Sequence, residues 1–584
     1  MRRFILIDPC LCDLGSHPYQ YCRDILDAAE RSGFACAAVA HRGFRPDRGE
    51  WPASHKFEAS LSTLGHSKYT AFGELDRLAE DGRARLRIAW PWAARHAERR
   101  RRERIDAFAR EIEPVVRSVR QGDVVFIATA SELDLAGLSR AIREHRPPRG
   151  VAWHVQFHYP LYRGFLDDFP RQERRLDRVR QITRRAIEDA DPHEIRLHVT
   201  TDELASQHRR LGAGDVGVLP YPVRAEAIAA AVARRSRGGR FRISALGDAR
   251  PEKQSHLLAE VAERIAADPE LSPLATLAVQ SNLGFPADSR SPADRAVVAS
   301  LERLAAMPRD RVDLLGGPLM GEKYTRQLAA ADAILLAYDQ ARYRCRCSGV
   351  TLEAIASGGL PIVTGGGSMA RLLAEPIAEH TATVTAASRA LAGGRTGRVR
   401  IRAGQPLRMS ITIPANATAV LASAAWPAAG DDALQLPGVA VCLDIEGMPR
   451  KTLSLQPDRS GRPARGLATL PVPPDRAGVS HPRSMRVEVG PLPGATSVDL
   501  DSLAVDPLDT GAPLPCSAAG IVVAPGLGLL DAILDAMREY VRFEDHYRRS
   551  AASLAAATAE RHSGDAVLRA ILEASPLPHA GGSR

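Results

Sequence analysis

With 584 residues, the chain is too long for a single hydrophobic core, and at roughly 150 residues per domain it predicts three or four folding units. Hydrophobic residues make up 45% and charged residues 25%, which is typical of a soluble globular protein. No stretch approaches the ~20 apolar residues that cross a bilayer, which excludes a membrane-spanning helix.

The first residues, MRRFILIDPCLCDLG, combine two arginines with a short apolar run, as a signal peptide does. Asp8 and Asp13 interrupt the run and no small-residue cleavage site follows, so we interpret it as a buried first strand. We therefore expect a cytoplasmic protein, with the inner face of a membrane as a second location.

Eight cysteines are too few for a disulfide scaffold in a chain of this length. Two Cys-x-Cys pairs are present, Cys10/Cys12 and Cys345/Cys347, whereas zinc sites more often use wider spacings. Buried, inert thiols are therefore favoured over a metal site.

Part of the net charge of +9 is concentrated in RHAERRRRER, residues 95–104. Glu98 and Glu103 interrupt this run, and no zinc-finger or RNP-type motif accompanies it, so we expect no nucleic-acid partner. A solvated helix face is the favoured interpretation. A surface for peripheral contact with an anionic membrane or an acceptor is the alternative.

Short apolar runs alternate with helical segments through residues 1–232. The runs are continuous and β-rich, which is typical of strands buried on both faces of a parallel sheet. The predicted strands are 4–9, 35–40, 123–130, 151–158, 195–201 and 216–220. Right-handed crossovers between them predict a doubly wound α/β domain over residues 1–232.

A basic linker at 233–240 leads into a second series of the same kind. Its predicted strands are 241–247, 274–280, 312–317, 333–338 and 360–366. The α/β pattern resumes with the apolar run GIVVAP at 520–525. We therefore assign residues 240–392 plus 515–584 to a second doubly wound domain.

Between residues 395 and 512 the pattern changes to short alternating runs separated by Pro, Gly, Asp and Asn. This pattern predicts an antiparallel β-sandwich. Because an α/β strand follows it, we interpret the sandwich as an insertion in the second α/β domain, with its two ends close together.

The segment GDARPEK, residues 247–253, directly follows a predicted strand and precedes an amphipathic helix. Ligands of open α/β sheets bind beyond the carboxyl ends of the strands. Arg250 and Lys253 beside a helix N-terminus would together favour a diphosphate. From these residues alone, an exposed turn with solvated charges is equally supported.

A second segment with conspicuous glycines covers residues 338–366. Ser348 and Gly349 stand where a tight turn opens a helix, so that backbone amides can approach a ligand closely. Glu353 lies one turn into that helix, where a carboxylate can accept hydrogen bonds from a ribose diol. The alternative for Glu353 is complementarity to the helix dipole, worth ~0.3–1 kcal/mol.

Together the two segments resemble the nucleotide-binding half of the retaining B-fold (GT-B) glycosyltransferases, the large "group 1" family. The shared features are a strand followed by GDARPEK and, about a hundred residues later, SGVTLEAIASGGLPIV. The resemblance covers 241–375 well and 520–573 loosely. It implies two Rossmann-like doubly wound domains, here with the β-sandwich inserted in the C-terminal one.

The resemblance also implies roles for individual residues. Arg250 and Lys253 would bind the diphosphate of a nucleotide sugar, and Glu353 would bind the ribose. Gly247, Ser348, Gly349 and Val350 would contact the substrate close to the phosphates or the base. The glycine-rich loop that family members carry near the N-terminus corresponds to Gly15, Ser16, His17 and Tyr19. His17 is expected to be catalytic, together with Arg250, Lys253 and Glu353. A surface-loop histidine is a nearly equal alternative for His17.

One position departs from the family. The first glutamate of its Glu-x7-Glu motif touches the transferred sugar, and the residue eight positions before Glu353 is Cys345. Asp339, Tyr343 and Arg346 are the nearby candidates for that contact.

We therefore expect a glycosyltransferase that moves a sugar, with retention, from a nucleoside-diphosphate sugar to a glycan, a lipid-linked or a small-molecule acceptor. The donor is a substrate, and neither a metal nor another cofactor is expected. The first alternative is a catalytically silent protein that binds nucleotide sugars or glycans, since Cys345 replaces the motif glutamate. An inverting, epimerase-like member of the same fold is the second.

Overall fold

The structure is a computed structural model that describes residues 1–12, 17–46, 51–52, 54–63, 91–162, 164–233, 239–319, 321–386, 388–428, 436–457, 465–472, 482–511, 515–517, 520–526 and 528–575. Two parallel sheets and one group of antiparallel sheets organise this part of the chain. The mixed architecture agrees with the fold class predicted from the sequence.

The first sheet has seven parallel strands in the order β3-β2-β1-β4-β5-β6-β7. Its strands are β1 (Arg3–Asp8), β2 (Ala35–His41), β3 (Lys56–Leu61), β4 (Val124–Ile127), β5 (Ala152–Phe157), β6 (Ile195–Val199) and β7 (Val216–Val218). Its helices are α1 (His17–Arg31), α2 (Pro91–Ser118), α3 (Glu132–His145), α4 (Phe169–Asp189), α5 (Asp202–Arg210) and α6 (Ala225–Ala233). Apolar clusters cover both faces of the sheet, as its continuous apolar strands predict.

The second sheet begins with five parallel strands in the order β10-β9-β8-β11-β12. They are β8 (Phe241–Ala245), β9 (Ala275–Gln280), β10 (Val312–Leu315), β11 (Ala333–Leu336) and β12 (Leu360–Thr364). The helices among them are α7 (Leu258–Ala267), α8 (Pro292–Ala305), α9 (Gly321–Ala330), α10 (Gln340–Tyr343), α11 (Gly349–Ala356) and α12 (Ser368–Ala386).

The antiparallel strands come next and share one core around the fully buried Trp426. They are β13 (Arg389–Ala390), β14 (Gly394–Thr396), β15 (Val399–Arg402), β16 (Leu407–Ile413), β17 (Ala419–Ala425), β18 (Val439–Ile445), β19 (Lys451–Leu455), β20 (Arg465–Pro471), β21 (Arg483–Pro491), β22 (Ser497–Leu500) and β23 (Ser502–Asp509). They form a sheet in the order β13-β23-β17-β20, in which β14 also pairs with β23, a second sheet in the order β16-β21-β18-β19, and a separate two-stranded sheet, β15-β22. This unit, the sandwich, starts at Arg389, a few residues before the position that the sequence suggested.

After the sandwich the chain returns to the second sheet. Strand β24 (Ile521–Val523) pairs in parallel with β12, with Ile521 opposite Ile362. The sandwich therefore lies between two neighbouring strands of one sheet, which confirms the predicted insertion.

We call the part of the molecule built on the first sheet the first half and the part built on the second sheet the second half. The last three helices divide between these two halves. They are α13 (Leu529–Arg542), α14 (Glu544–Arg561) and α15 (Gly564–Glu573). Helix α13 packs on the second sheet through residues such as Ile533 and Met537. Helix α15 instead joins the apolar cluster of β1 and α1 through Val567 and Ile571. From the sequence we assigned residues 515–584 to the second half, whereas in the structure the last helix, α15, packs on the first half.

The basic run predicted as a helix face belongs to α2. Glu98 accepts hydrogen bonds there from Arg101 at 3.2 Å and from Arg102 at 3.4 Å. Arg99 and Arg100 are exposed, as on a solvated helix face. No helix in the described ranges is both long and apolar enough to cross a membrane.

Candidate functional site

The GDARPEK segment leaves β8 through Gly247, whose φ of +88° is a conformation that favours glycine. The expected helix N-terminus beside Arg250 is absent from this position. A 3₁₀ turn at Pro251–Lys253 and a second one at Ser255–Leu257 precede α7, which begins at Leu258. Gln254, with φ +54°, separates the two turns and prevents one continuous helix.

The Lys253 side chain folds back over Gly247. If Gly247 carried a Cβ atom, that atom would overlap Lys253 Nζ and would lie 3.9 Å from Val350 Cγ2. The ammonium group therefore lies near Val350, at the start of α11. Nζ also lies 5.7 Å from the centre of the Tyr338 ring. Burial, and then the positive charge of Arg250, lower the pKa of Lys253 to about 8.

Arg250 lies beside Lys253 and is held by an acid. Its guanidinium donates to Asp248 Oδ2 at 2.6 Å, and Asp248 Oδ1 accepts from Asn282 at 2.5 Å. The arginine packs so closely on Gly284 that a Cβ atom there would overlap it. With 39% of its side chain exposed, Arg250 is oriented by Asp248 yet remains open to a ligand.

Helix α11 begins where Ser348 caps it, with Ser348 Oγ accepting from the Thr351 N–H at 3.4 Å. Gly349 faces the first half of the molecule, since a Cβ atom there would lie 2.9 Å from Tyr221 Cε1. Val350 is buried on the side of Lys253. The three predicted contact residues therefore lie between Lys253 of the second half and Tyr221 of the first.

Glu353 lies one turn into α11, as predicted. Its Oε2 accepts a hydrogen bond of 2.6 Å from the hydroxyl of Tyr324 on α9. Across the junction of the two halves, Asp24 of α1 is close enough to interact electrostatically with Glu353. Burial raises the pKa of Asp24 to about 7, although the nearby Arg224 opposes the shift.

Cys345, at the position of the motif glutamate, and Asp339, one of its proposed replacements, both make contacts within the protein. Asp339 Oδ1 accepts from the Ala341 N–H at 2.9 Å and so caps the short helix α10. Cys345 is 3% exposed, and Gln207 of α5 donates to its Sγ at 3.1 Å. Thr201 donates to the Cys345 carbonyl at 2.8 Å. The thiol is thus packed into the first half, and burial raises its pKa to about 12.

Three arginines lie in or beside the loop 337–348, and the sequence predicted only one of them as a site residue. The Arg346 guanidinium lies 5.4 Å from the centre of the Tyr159 ring, and that of Arg344 lies 6.0 Å from the centre of the Phe165 ring. Arg371 of α12 pairs with Glu203 of α5 and donates to the Arg344 carbonyl at 2.7 Å. Only Arg346 was a predicted site residue, because the others are recognisable only once the two halves are brought together.

The N-terminal loop is the least defined part of the site. Gly15 and Ser16 lie outside the described residues, and of His17 only the backbone is described, as the first residue of α1. Within the described part of the chain, no group of three or more His, Cys, Asp or Glu residues is placed to hold a metal ion.

His154, which the sequence assigned to the core, is fully buried on β5. Its Nδ1 lies 2.9 Å from His198 Nε2 and its Nε2 lies 3.0 Å from Ser575 Oγ. The histidine therefore links β5 to β6 and to the residues that follow α15.

No protein-family model matches the chain, and no curated protein matches it. Among solved structures it is similar to a UDP-forming alpha,alpha-trehalose-phosphate synthase from Burkholderia xenovorans, at 14% identity over 64% of this chain and 86% of that one, with a TM-score of 0.44. It is similar to the corresponding synthase from Burkholderia vietnamiensis at 14% identity, over 64% and 87% of the two chains, with a TM-score of 0.44. The N-terminal domain of trehalose-6-phosphate phosphatase from Candida albicans gives 14% identity, 64% and 85% coverage, and a TM-score of 0.44. Similarity this low transfers no residue roles, so the function has to be inferred from the side chains of this chain.

Proposed function

We propose that this protein is a glycosyltransferase that uses a nucleoside-diphosphate sugar as its donor. One observation carries the proposal. The Lys253 ammonium group, packed over Gly247, lies near Val350 in the first turn of α11, with the partly exposed Arg250 beside it. A cationic corner of this kind, next to the N-terminus of a helix, suits a diphosphate.

The same corner suits the chemistry of sugar transfer. When the bond between the sugar and the diphosphate breaks, negative charge grows on the departing phosphate oxygen. Lys253 and Arg250 would stabilise that charge without a metal ion. Retention of the sugar's configuration and the class of acceptor, a glycan, a lipid-linked or a small molecule, are part of the proposal.

Glu353 would bind the ribose of the donor. Tyr324 donates to Oε2 and fixes the direction of the carboxylate, which leaves Oε1 for a ribose hydroxyl. Since Glu353 and Lys253 both lie on or against α11, one nucleotide can reach both. The donor would therefore lie along α11, with its diphosphate at the first turn.

The burial of Cys345 favours a second candidate, a protein that binds nucleotide sugars without transferring them. At the position where the related family places a carboxylate against the sugar, this chain has a thiol that packs against Gln207. A thiol is a weak hydrogen-bonding partner for a sugar hydroxyl.

Isothermal titration of the full chain with UDP, GDP, ADP and their glucose conjugates tests the binding function. We expect one nucleoside diphosphate to bind, and Lys253→Met to weaken it at least tenfold, or about 1.4 kcal/mol. Lys323→Met, which changes an exposed lysine of α9, serves as the matched control. Slow hydrolysis of the matching sugar nucleotide would then separate an enzyme from a silent binder. Equal affinity in both lysine variants would refute the phosphate assignment.

A further inference from the structure

Arg344 is a buried cation with no acid in contact among the described residues. It is 4% exposed, its guanidinium faces the ring of Phe165, and its Nε has no hydrogen-bond partner in the part of the chain that the structure describes. Burial lowers its pKa to about 10, and the neighbouring charge of Arg371 acts in the same direction. An isolated buried charge is costly, so such a group is expected to gain a counter-ion.

Arg371 adds a second guanidinium at the same place. It is 5% exposed, and its Nε donates to Glu203 while another nitrogen donates to the Arg344 carbonyl. Its NH1 is buried and has no partner in the described part of the chain. Among the described residues, Arg371 therefore has the buried carboxylate of Glu203 as its partner, whereas the acid that acts electrostatically on Arg344 is Asp167, which is exposed.

Arg346 extends this positive charge toward the diphosphate corner. Its Nε is likewise buried with no partner among the described residues, and its guanidinium covers the ring of Tyr159. Arg346 and Arg250 both interact electrostatically with Tyr159 and with Tyr343. The cationic groups therefore continue from the corner beside Lys253 to Arg344.

We propose that Arg344, Arg346 and Arg371, the arginine cluster, bind an anionic group of the sugar substrate, a carboxylate or a phosphate. This inference rests on the proposed function and adds the substrate's charge to it. Either the transferred sugar or the acceptor carries the group, because the cluster lies where the loop 337–348 of the second half meets Tyr159 and Phe165 of the first. A planar guanidinium group binds either anion through two parallel hydrogen bonds.

A purely structural role does not account for the cluster. The pair of Arg371 with Glu203 already joins α12 to α5. Within the described ranges Arg344 adds no contact with a carboxylate, and a neutral side chain of similar length would cover Phe165 without the desolvation cost. A bound anion would offset part of the cost of burying Arg344.

Isothermal titration with matched anionic and neutral ligands tests the proposal in two arms. The acceptor arm compares glucose 6-phosphate and glucuronate with glucose, on the chain alone and on the chain saturated with its nucleoside diphosphate. The donor arm compares UDP-glucuronate with UDP-glucose. We expect the anionic ligand to bind at least tenfold more tightly in one arm, or about 1.4 kcal/mol. The arm that responds identifies whether the acceptor or the donor carries the anion.

Arg344→Gln should abolish that preference and leave the affinity for the neutral ligand unchanged, and Arg344→Lys should retain part of it. Arg342→Gln, an exposed arginine two residues away, should keep the full preference. If Arg344→Gln unfolds in thermal denaturation, the partly exposed Arg346→Gln replaces it and should lower the preference.

Two results would overturn the inference: equal affinities for anionic and neutral ligands in both arms, or an undiminished preference in the cluster variants. Failure of the proposed function is a separate result, since it appears as no nucleoside diphosphate binding to the wild type. The titration of the nucleotide-free chain with glucose 6-phosphate tests the cluster in that case also.

Discussion

The surroundings of Lys253 predict that the affinity for a nucleoside diphosphate depends on pH. Its ammonium group is buried over Gly247, against the ring of Tyr338 and near Arg250, and its pKa is lowered to about 8. The free protein therefore loses this proton as the pH rises through 8. An anionic diphosphate binds the protonated form, so its affinity should be highest well below pH 8, should be halved at pH 8 and should fall steadily above it.

The expected size of the effect follows from the pKa. At pH 9, one unit above it, about one Lys253 in ten is protonated, so the affinity for the nucleoside diphosphate falls about tenfold, or ~1.4 kcal/mol. Lys253→Met removes a hydrogen bond to a charged group and should cost ~1.5–3 kcal/mol of binding free energy at pH 7. This variant has no proton to lose there, so its affinity should lack the roughly tenfold fall expected of the wild type between pH 7 and pH 9.

Isothermal titration from pH 7 to pH 9.5, in buffers of different ionisation enthalpy, measures both the affinity and the proton uptake. Above pH 8 the wild type should take up a proton on binding, and Lys253→Met should not. Lys323→Met, with its exposed lysine, should follow the wild type. A wild-type affinity that does not change across this range, or the same decline in Lys253→Met, would show that Lys253 does not contact the diphosphate.

The other predictions concern residues along the same site. Arg250→Ala should weaken nucleoside diphosphate binding by ~1.5–3 kcal/mol in titration calorimetry, since Asp248 already orients the side chain toward the ligand. Glu353→Gln should weaken the nucleoside diphosphate but leave inorganic pyrophosphate unaffected, and an equal loss for both ligands would disprove the ribose contact. In a turnover assay, Cys345→Ala should be nearly neutral, whereas Arg346→Ala and Asp339→Ala should lower the rate at least tenfold, about 1.4 kcal/mol. Asp339→Asn, which keeps the helix cap, separates a sugar contact of this residue from its capping role.

The parallel sheets could be predicted because each strand is a continuous apolar run. Even β24, with only three residues at Ile521–Val523, was recognisable as part of GIVVAP after the alternating pattern had ended. The sandwich was recognisable for the opposite reason, since its strands alternate between an apolar core face and a polar face. In both cases a local period in the sequence reports how the strand is buried.

The features that the sequence did not reveal depend on contacts between distant segments. The two 3₁₀ turns before α7 depend on the left-handed backbone of Gln254, which no apolar period encodes. Arg371 and Glu203 form their pair from opposite halves of the chain, 168 positions apart. The return of α15 to the first half depends on its packing against α1, where Gly564 allows close approach to the Asp24 carbonyl. None of these can be derived from a window of neighbouring residues.

The sandwich also bears on the site, because it contacts the first half although it is inserted in the second. A Cβ atom at Gly494, between β21 and β22, would overlap the ring of Phe165, and Thr496 donates to Asp167 at 3.2 Å. The guanidinium of Arg344 lies over the same Phe165 ring.

Since the sandwich leaves and re-enters the second sheet between β12 and β24, it is anchored to that sheet at both ends. Any change in the relative orientation of the two halves must therefore either separate Phe165 from Gly494 or deform the sandwich's connection to β12 and β24. Because Phe165 also covers Arg344, a movement that separates Phe165 from the second half would expose Arg344 as well.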